Sequence, residues 1–468
     1  MDFREFIMWE GMMHFGVLAV LLLFANTLRR KIPIFRRSLL PTAVIAGFIG
    51  LVFKETIYSR IVEPDQLEST NLFLAIITYH SIALGFIALG LKVHEKLTVQ
   101  SKTSRSFFSG LVIVSTYLLQ GLVGLSITVL LSYTLFPELF QSAGMLVPLG
   151  FGQGPGQALN IGGVYQISHG FVGGASFGLS IASFGFIWAS VAGVIYLNIM
   201  RKKGILSRSP EQRAKHVSNQ EIESPDEIPV AESIDKFTVQ IALVLVVYFF
   251  TYVFIYTSNY FLERGALGDF GLETVRPLIW GFNFIFGMLF AILAKKLFLW
   301  LRKVKLMTRQ YPNNYMLNRI AGLVFDFMIV SAISAITIEH LRYLWIPFFI
   351  LVITVGIMTV FYVRFICKRV YPEYPLAATM GMFGMLTGTA STGVILLREV
   401  DPNFKTPAAN DMVVGSSTAI LFGFPILLLV GLAPISPFHT LLTLGIIAFL
   451  SAVAVTILVK LNPAPSAN

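Results

Sequence analysis

Charged residues are scarce in this chain. Only 13% of its 468 residues are Asp, Glu, Lys or Arg, whereas 55% are hydrophobic, and the mean hydropathy is +0.75. Ordinary soluble domains carry roughly 25% charged residues. The composition therefore excludes a soluble protein and predicts an all-α polytopic membrane protein. The net charge of +10 then reflects basic loops beside membrane spans, and we expect no nucleic-acid partner.

Cysteine and common catalytic motifs are almost absent. The single cysteine, Cys367, excludes disulfides within the chain and any cysteine-based metal cluster. No HExxH pair is present for a zinc protease. The first ten residues mix Asp, Glu and Arg instead of forming a basic region before a cleavage site, so we expect the first span to be retained. We expect neither an enzyme nor an organic cofactor.

Long apolar runs dominate the chain. A membrane-spanning helix needs about 20 mostly apolar residues. Two further apolar segments, about 144–168 and 376–397, are rich in glycine, and we interpret them as re-entrant hairpins or broken helices. The predicted spans lie near 11–28, 38–54, 71–91, 107–135, 171–199, 237–258, 276–294, 317–337, 343–363, 411–432 and 438–460.

Basic residues lie mostly on one side of these spans, and that side is expected to be cytoplasmic. This places the N-terminus outside and the C-terminus inside. The first five spans (1–200) and the next five (237–432) then have opposite orientations, which predicts an inverted-topology repeat. A polar cytoplasmic linker (201–236) joins them, and an extra span with a short tail follows (433–468). The basic residues on the other side are Arg4, Lys54, Arg60, Arg264, Arg276 and Arg342.

The two glycine-rich segments, Gly150–Ala158 and Met382–Ala390, superpose after a shift of 232 positions. The shift pairs Gly152 with Gly384 and Gly156 with Gly388. Irregular backbone at membrane depth is tolerated only where it is buried in protein or lines a wet cavity. Such interruptions at matching positions in two halves indicate a transporter's substrate site. Small residues also permit tight helix packing, which is the alternative reading.

A broken helix offers unpaired N–H groups to a carboxylate and unpaired carbonyls to a small cation. The amides and hydroxyls around the glycines can bind both without carrying charge. This composition suits an organic anion that moves together with Na⁺. The predicted substrate-binding residues are Gly152, Gln153, Gly154, Gly156, Gln157, Asn160, Gly384, Thr387, Gly388, Thr389, Ser391 and Thr392.

Other polar residues within apolar sequence have less specific readings. Asp326 lies near the middle of a span, where an ionisable side chain suggests cation or proton binding, or else a buried hydrogen bond. His80 is a weaker candidate for the same roles. Asp411 is expected to cap a helix together with Asn410, and Arg398 either holds a carboxylate or belongs to the basic loops. The cation-binding candidates are Asp326, Ser416, Ser417 and Thr418.

At these residues the chain resembles the sodium/glutamate symporter family (the ESS family of bacterial glutamate:Na⁺ symporters). The likeness lies in the two glycine segments, in Val394–Pro402, and in the first loop, Arg29–Gly47. The resemblance implies sodium-coupled L-glutamate uptake in a bacterial inner (plasma) membrane. It also implies that a hairpin-bearing part moves by alternating access against a scaffold that forms a homodimer.

Three features depart from that family. Gln153 stands where a histidine is expected, Asp326 adds a charge, and the last span is extra. A Na⁺- or H⁺-coupled symporter of another small carboxylate or amino acid therefore stays open as the alternative. A membrane-embedded serine hydrolase using Ser391 is a distant one, because the nucleophile would need a base such as His80 or His340. A channel would show rings of charge or a carbonyl filter repeated around a symmetry axis, whereas inverted halves within one chain favour a carrier.

Overall fold

The computed structural model describes residues 6–93, 103–206, 236–307, 311–402 and 404–460, and every regular element in these ranges is helical. Short π-helical or 3-10 turns connect several of the α-helices. The α-helices are α1 (Phe6–Lys31), α2 (Pro33–Arg37), α3 (Thr42–Phe53), α4 (Ser59–Ile61), α5 (Pro64–Leu91), α6 (Thr103–Thr134), α7 (Pro155–His169), α8 (Gly174–Lys202), α9 (Lys236–Glu263), α10 (Gly268–Phe270), α11 (Arg276–Gly281), α12 (Asn283–Lys303), α13 (Asn314–Ser334), α14 (Trp345–Val370), α15 (Pro375–Thr387), α16 (Ala390–Arg398), α17 (Ala408–Leu432) and α18 (Pro437–Lys460).

Ten helical stretches in the described ranges are long and apolar enough to cross a bilayer. They confirm the expected polytopic membrane protein, and each corresponds to one predicted span. They cover residues 9–31, 42–61, 64–91, 105–134, 174–202, 236–263, 283–303, 314–334, 345–370 and 437–460.

One predicted span is interrupted in the observed helices, and another is not among the ten stretches. The span predicted at 276–294 is broken at Phe282 into the short α11 and the long α12. Pro277 lies at the second position of α11, where proline is tolerated, and Gly281, a poor helix former, is its last residue. The span predicted at 411–432 lies within α17, which carries Pro425 in its interior. Most of the predicted linker (207–235) and the tail (461–468) fall outside the described residues.

The helices pack into two groups. The first, which we call the scaffold group, comprises α1, α3, α5, α9, α12 and α13, with two buried apolar clusters of its own. The second, which we call the broken-helix group, comprises α6 to α8 and α14 to α18 around one large apolar cluster. Leu159 of α7 and both Leu179 and Phe186 of α8 are buried in the scaffold cluster. Helices α7 and α8 therefore carry much of the contact between the groups.

Glycine allows α7 and α8 to cross closely. A Cβ atom on Gly162 would lie 2.4 Å from the carbonyl oxygen of Gly174, and one on Gly178 would lie 2.4 Å from that of Ala158. Both distances are far shorter than any real contact, so only glycine fits. Small residues serve this purpose widely in membrane helices. The crossing fixes the start of α7, where the first helix break lies.

Candidate substrate and cation site at two helix breaks

The first helix break lies at Gly154. A π-helical turn, Pro148–Gln153, ends there and α7 begins at Pro155. Gly154 has φ of +98°, a conformation that side-chain-bearing residues rarely adopt, so the break requires glycine. Its N–H donates to the carbonyl oxygen of Leu149 at 2.9 Å. Proline at the first position of α7 is favourable, since that position needs no N–H donor.

The second helix break lies at Gly388 and Thr389, between α15 and α16. The hydroxyl of Thr387 closes the end of α15 by donating to the carbonyl oxygen of Phe383 at 2.7 Å. Thr389 Oγ1 lies 3.3 Å from Thr392 Oγ1 across the first turn of α16. Ala390 and Ser391 are exposed, whereas Thr387 and Thr392 are buried.

The two breaks meet. A Cβ atom on Gly154 would lie 3.6 Å from Thr389 Cγ2. Helix α8 contacts both segments, because a Cβ on Gly185 would come within 2.2 Å of the carbonyl oxygen of Thr387 and within 3.1 Å of Phe151. The N-termini of α7 and α16 are therefore brought to one place. Each carries unpaired N–H groups and a partial positive charge.

No ionisable side chain belongs to either break. The stretches 150–158 and 382–392 contain only glycine, proline, apolar residues, amides and hydroxyls. Nothing within these stretches neutralises the two positive helix ends. The arrangement can accept a small anion through backbone N–H groups, the way in which helix N-termini bind carboxylates and phosphates. The exposed start of α16 gives such an anion a route to the breaks.

Several predicted site glycines are packing positions. A Cβ on Gly152 would lie 2.1 Å from the ring of Tyr117, whose hydroxyl donates to the Gly152 carbonyl at 2.8 Å. A Cβ on Gly384 would lie 2.8 Å from the Cα of Gly393. Gly156 packs against the scaffold group instead, where a Cβ would lie 2.7 Å from Ile82 Cδ1. These glycines are thus needed for close packing, while Gly154 and Gly388 lie at the breaks themselves.

The predicted amides differ in their surroundings. Gln153, just before the first break, is half-buried. Gln157 and Asn160 are buried on α7, and Asn160 Nδ2 donates to the carbonyl oxygen of Gly281 at 3.0 Å. Asn160 therefore contacts the helix interruption of the scaffold group and not the exposed start of α16.

The structure does not bring Asp326 to the breaks. Met328 points toward the first break, because its Sδ would lie 2.9 Å from a Cβ on Gly156. Residues two apart in an α-helix are about 200° apart around its axis. Asp326 therefore projects from the opposite side of α13. It is exposed there and has no hydrogen-bond partner within the described part of the chain.

The cation-binding candidates on α17 have different surroundings. Ser416 lies against the second broken segment, because its Oγ is 3.4 Å from Met385 Sδ while it donates to the Met412 carbonyl at 2.8 Å. Thr418 packs against α6, with its Cβ 2.7 Å from the position of a Cβ on Gly110. Ser417 lies between them in the chain. Ser416 thus lies beside a broken segment and Thr418 faces α6, while the side chain of Ser417 lies outside the part of the chain that the structure describes.

Asp411 is not a helix cap. The N-cap position of α17 is Pro407, and Asp411 lies in the first turn. It is buried, accepts a hydrogen bond from the Tyr374 hydroxyl, and lies 3.5 Å from Arg105 Nε. Burial demands a partner for this carboxylate, and the partner comes from the start of α6. The cluster ties α6, α15 and α17 together at one end.

The charged residues after the second break are also accounted for. Arg398 is exposed and lies 5.3 Å from the ring centre of Phe404. Glu399 forms an ion pair with Arg201 at 3.0 Å. Neither reaches back to the break, because α16 separates Arg398 from it by two turns.

The sequence patterns did not point to three polar residues near the helix breaks. Gln120 of α6 donates through Nε2 to the carbonyl oxygen of Leu386 at 2.9 Å, at the end of α15. Tyr117, one turn earlier, holds Gly152. Asn283 begins α12. A polar residue inside an apolar span is a signal that could have found Gln120.

The two histidines considered as the base of a serine hydrolase have other partners. His80 Nδ1 is 2.6 Å from the Tyr248 hydroxyl, and His340 packs against Gly173. Ser391 makes no hydrogen bond with a histidine in the ranges the structure describes. Those ranges also contain no cluster of three or more His, Cys, Asp or Glu side chains that could hold a metal ion.

A scan against protein-family models gives no match, and neither does a search of curated proteins. The fold and the site thus define the class by themselves. The chain is an all-helical polytopic membrane protein in which two broken helices meet.

Proposed function

We propose that the protein is a secondary active transporter that carries a small organic anion, first of all L-glutamate, together with Na⁺ by alternating access. The meeting of two helix N-termini, neither neutralised by an ionisable residue of its own segment, carries this proposal. Oriented N–H groups bind a carboxylate without trapping it through a full opposite charge. The resemblance to sodium/glutamate symporters supports the choice of glutamate and of Na⁺.

Helix packing supports an inverted repeat. If α1, α3 and α5 correspond to α9, α12 and α13, each contact in one half has its counterpart in the other. Helix α3 packs on α13 as α12 packs on α5, and α1 packs on α3 as α9 packs on α12. Helices α7 and α16 begin at Pro155 and Ala390, which are 235 positions apart. The shift of 232 positions that superposes the two glycine-rich segments therefore differs by three residues from the shift that superposes the two helix starts.

The exposed residues support one access state. With the basic loops in the cytoplasm, the N-terminus is outside, and both broken segments are re-entrant hairpins that enter from opposite sides. Gly156 and Asn160 on the first are buried at the scaffold group, whereas Ala390 and Ser391 on the second are exposed. The breaks are then open toward the cytoplasm. The scaffold group would form the homodimer in a bacterial inner membrane, as the resemblance implies.

Glutamate uptake into proteoliposomes tests the proposal. Radiolabelled L-glutamate would be offered with an inward Na⁺ gradient, and then with Na⁺ replaced by choline at fixed pH. Saturable uptake with Na⁺ alone is the expected result. Na⁺-dependent uptake of another carboxylate in a competition panel would keep the mechanism and change the substrate. Absence of uptake for every carboxylate, with Na⁺ or with a proton gradient, would refute the transporter assignment.

A further inference from the structure

Three buried amide oxygen atoms, on α7 and at the start of α12, have no hydrogen-bond donor within the described part of the chain. They are Gln157 Oε1 and Asn160 Oδ1 on α7, and Asn283 Oδ1 at the start of α12. The exposed fractions of these residues are only 3%, 6% and 1%. A buried acceptor without a donor is costly, and each such atom requires an explanation.

The hydrogen bonds identify which end of each asparagine is unpaired. Asn160 Nδ2 donates to the Gly281 carbonyl at 3.0 Å, and Asn283 Nδ2 donates to the Tyr79 carbonyl at 3.3 Å. Turning either amide around would place its oxygen against a carbonyl oxygen. The NH₂ groups are therefore the bonded ends, and the oxygens are the free ends.

The surrounding contacts bring these residues to one place. The helix break at Phe282 lies between Gly281, which Asn160 contacts, and Asn283 itself. The Tyr79 hydroxyl donates to the carbonyl of Trp280 at 2.8 Å, so α5 is bonded to the same break. Gln157 and Asn160 are three residues apart on α7 and so share one face of that helix.

We propose that these three amide oxygens form a binding site for the coupling cation, Na⁺, between α7 and the break that precedes α12. The inference rests on the proposed function, of which it names the ion site. A group of acceptors without a donor suits a small hard cation, and carbonyls freed by a helix break provide ligands of the same kind.

The position of the site gives it a part in coupling. Helix α7 belongs to the broken-helix group, whereas α5 and α12 belong to the scaffold group. A cation held by Asn160 and Asn283 together would tie the two groups in the arrangement seen here. Binding of Na⁺ would then favour this arrangement by its differential affinity for it, the requirement for any ligand that shifts a conformational equilibrium.

Thermal unfolding of the purified protein in detergent tests the site without transport. NaCl would be titrated against choline chloride at constant ionic strength, because a ligand that binds the folded state raises the unfolding midpoint. We expect Asn283→Ala and Gln157→Leu to raise the Na⁺ concentration needed for half of the stabilisation by about tenfold or more. Asn318→Ala removes an exposed amide from α13 and serves as the matched control, with an unchanged response.

Gln157→Leu keeps the test usable if Asn283→Ala fails to fold, since no described residue hydrogen-bonds to the Gln157 side chain. A wild-type protein stabilised by Na⁺, with variants that respond at the same concentration, would overturn the site and leave water as the donor to these oxygens. A wild-type protein that ignores Na⁺ would overturn sodium coupling itself, and the site with it.

Discussion

Gly156 lies where the first broken segment contacts the scaffold group. A Cβ atom added there would lie 2.7 Å from Ile82 Cδ1, 2.9 Å from Ile82 Cβ and 2.9 Å from Met328 Sδ. The methionine sulfur can move aside, but the branched Cβ of Ile82 is held by its own helix. The substitution Gly156→Ala therefore forces α7 away from α5 and α13.

Overpacking of this kind costs about 1–3 kcal/mol. If the contact forms in only one of two access states, a cost of this size shifts the equilibrium between them by a factor of about 5 to 150. The state in which the start of α16 is exposed becomes less populated. Because the proposed transport cycle passes through both states, we expect glutamate uptake to fall by about fivefold or more while the protein still reaches the membrane.

Two measurements check this prediction. The first compares uptake by Gly156→Ala with uptake by Gly163→Ala, a control on the same helix whose added Cβ meets nothing within 4 Å. The second follows maleimide labelling of Ser391→Cys, which is exposed, while the native Cys367 is buried. Labelling should slow in the Gly156→Ala background. Equal uptake and equal labelling in both glycine variants would refute the idea that this contact opens and closes.

Three further predictions concern charged residues. Arg105→Gln should leave the buried Asp411 without its ion-pair partner and lower the free energy of unfolding by about 2 to 3 kcal/mol. This is less than for a fully buried pair, because Arg105 is partly exposed. Denaturation in detergent would measure the change, and an unchanged unfolding midpoint would contradict the prediction. Asp326→Asn should leave the Na⁺ dependence of uptake unchanged, since its side chain points away from the breaks, whereas a shifted Na⁺ dependence would restore it as a coupling residue. Burial raises the pKa of the loop residue Asp401, but hydrogen bonds from the Thr406 hydroxyl and from the two neighbouring backbone N–H groups outweigh this and hold the pKa below its usual range. The resulting stabilisation is present above the unfolded-state pKa of about 3.9 and is lost as the pH falls through the lower folded-state value. The unfolding midpoints of wild type and Asp401→Asn should therefore converge in acid. A difference between the two midpoints that stays constant with pH would contradict this prediction.

Local signals in the sequence identified much of the fold. Apolar length alone places the ten membrane-crossing helices, because the bilayer imposes that length. The helix breaks lie inside the two glycine-rich segments predicted at about 144–168 and 376–397, because Gly154 and Gly388 are visible as departures from apolar sequence. The break at Phe282 was missed, although Pro277, Gly281 and Asn283 interrupt the apolar sequence around it.

The directions of side chains could not be predicted in the same way. Asp326 near the middle of a span suggested a cation ligand, yet the helix turns it away from Met328 and the first break. Asp411 suggested a cap, yet its partner Arg105 comes from a helix far away in the chain. Such pairings depend on which helices become neighbours, and hydropathy carries no information about that.

If the two broken helices correspond with a shift of 235 positions, Ser391 is the counterpart of Gly156, which packs between Ile82 and Met328. Those two residues lie on α5 and α13, which are themselves counterparts if the halves are inverted copies. Exchanging the halves would then exchange α5 with α13, the two helices that supply this contact. In the opposite access state Ser391 would approach this pair as Gly156 leaves it. A single apolar contact on the scaffold group would then receive each broken helix in turn, and the small residues Gly156 and Ser391 are the ones that such a shared contact could accommodate.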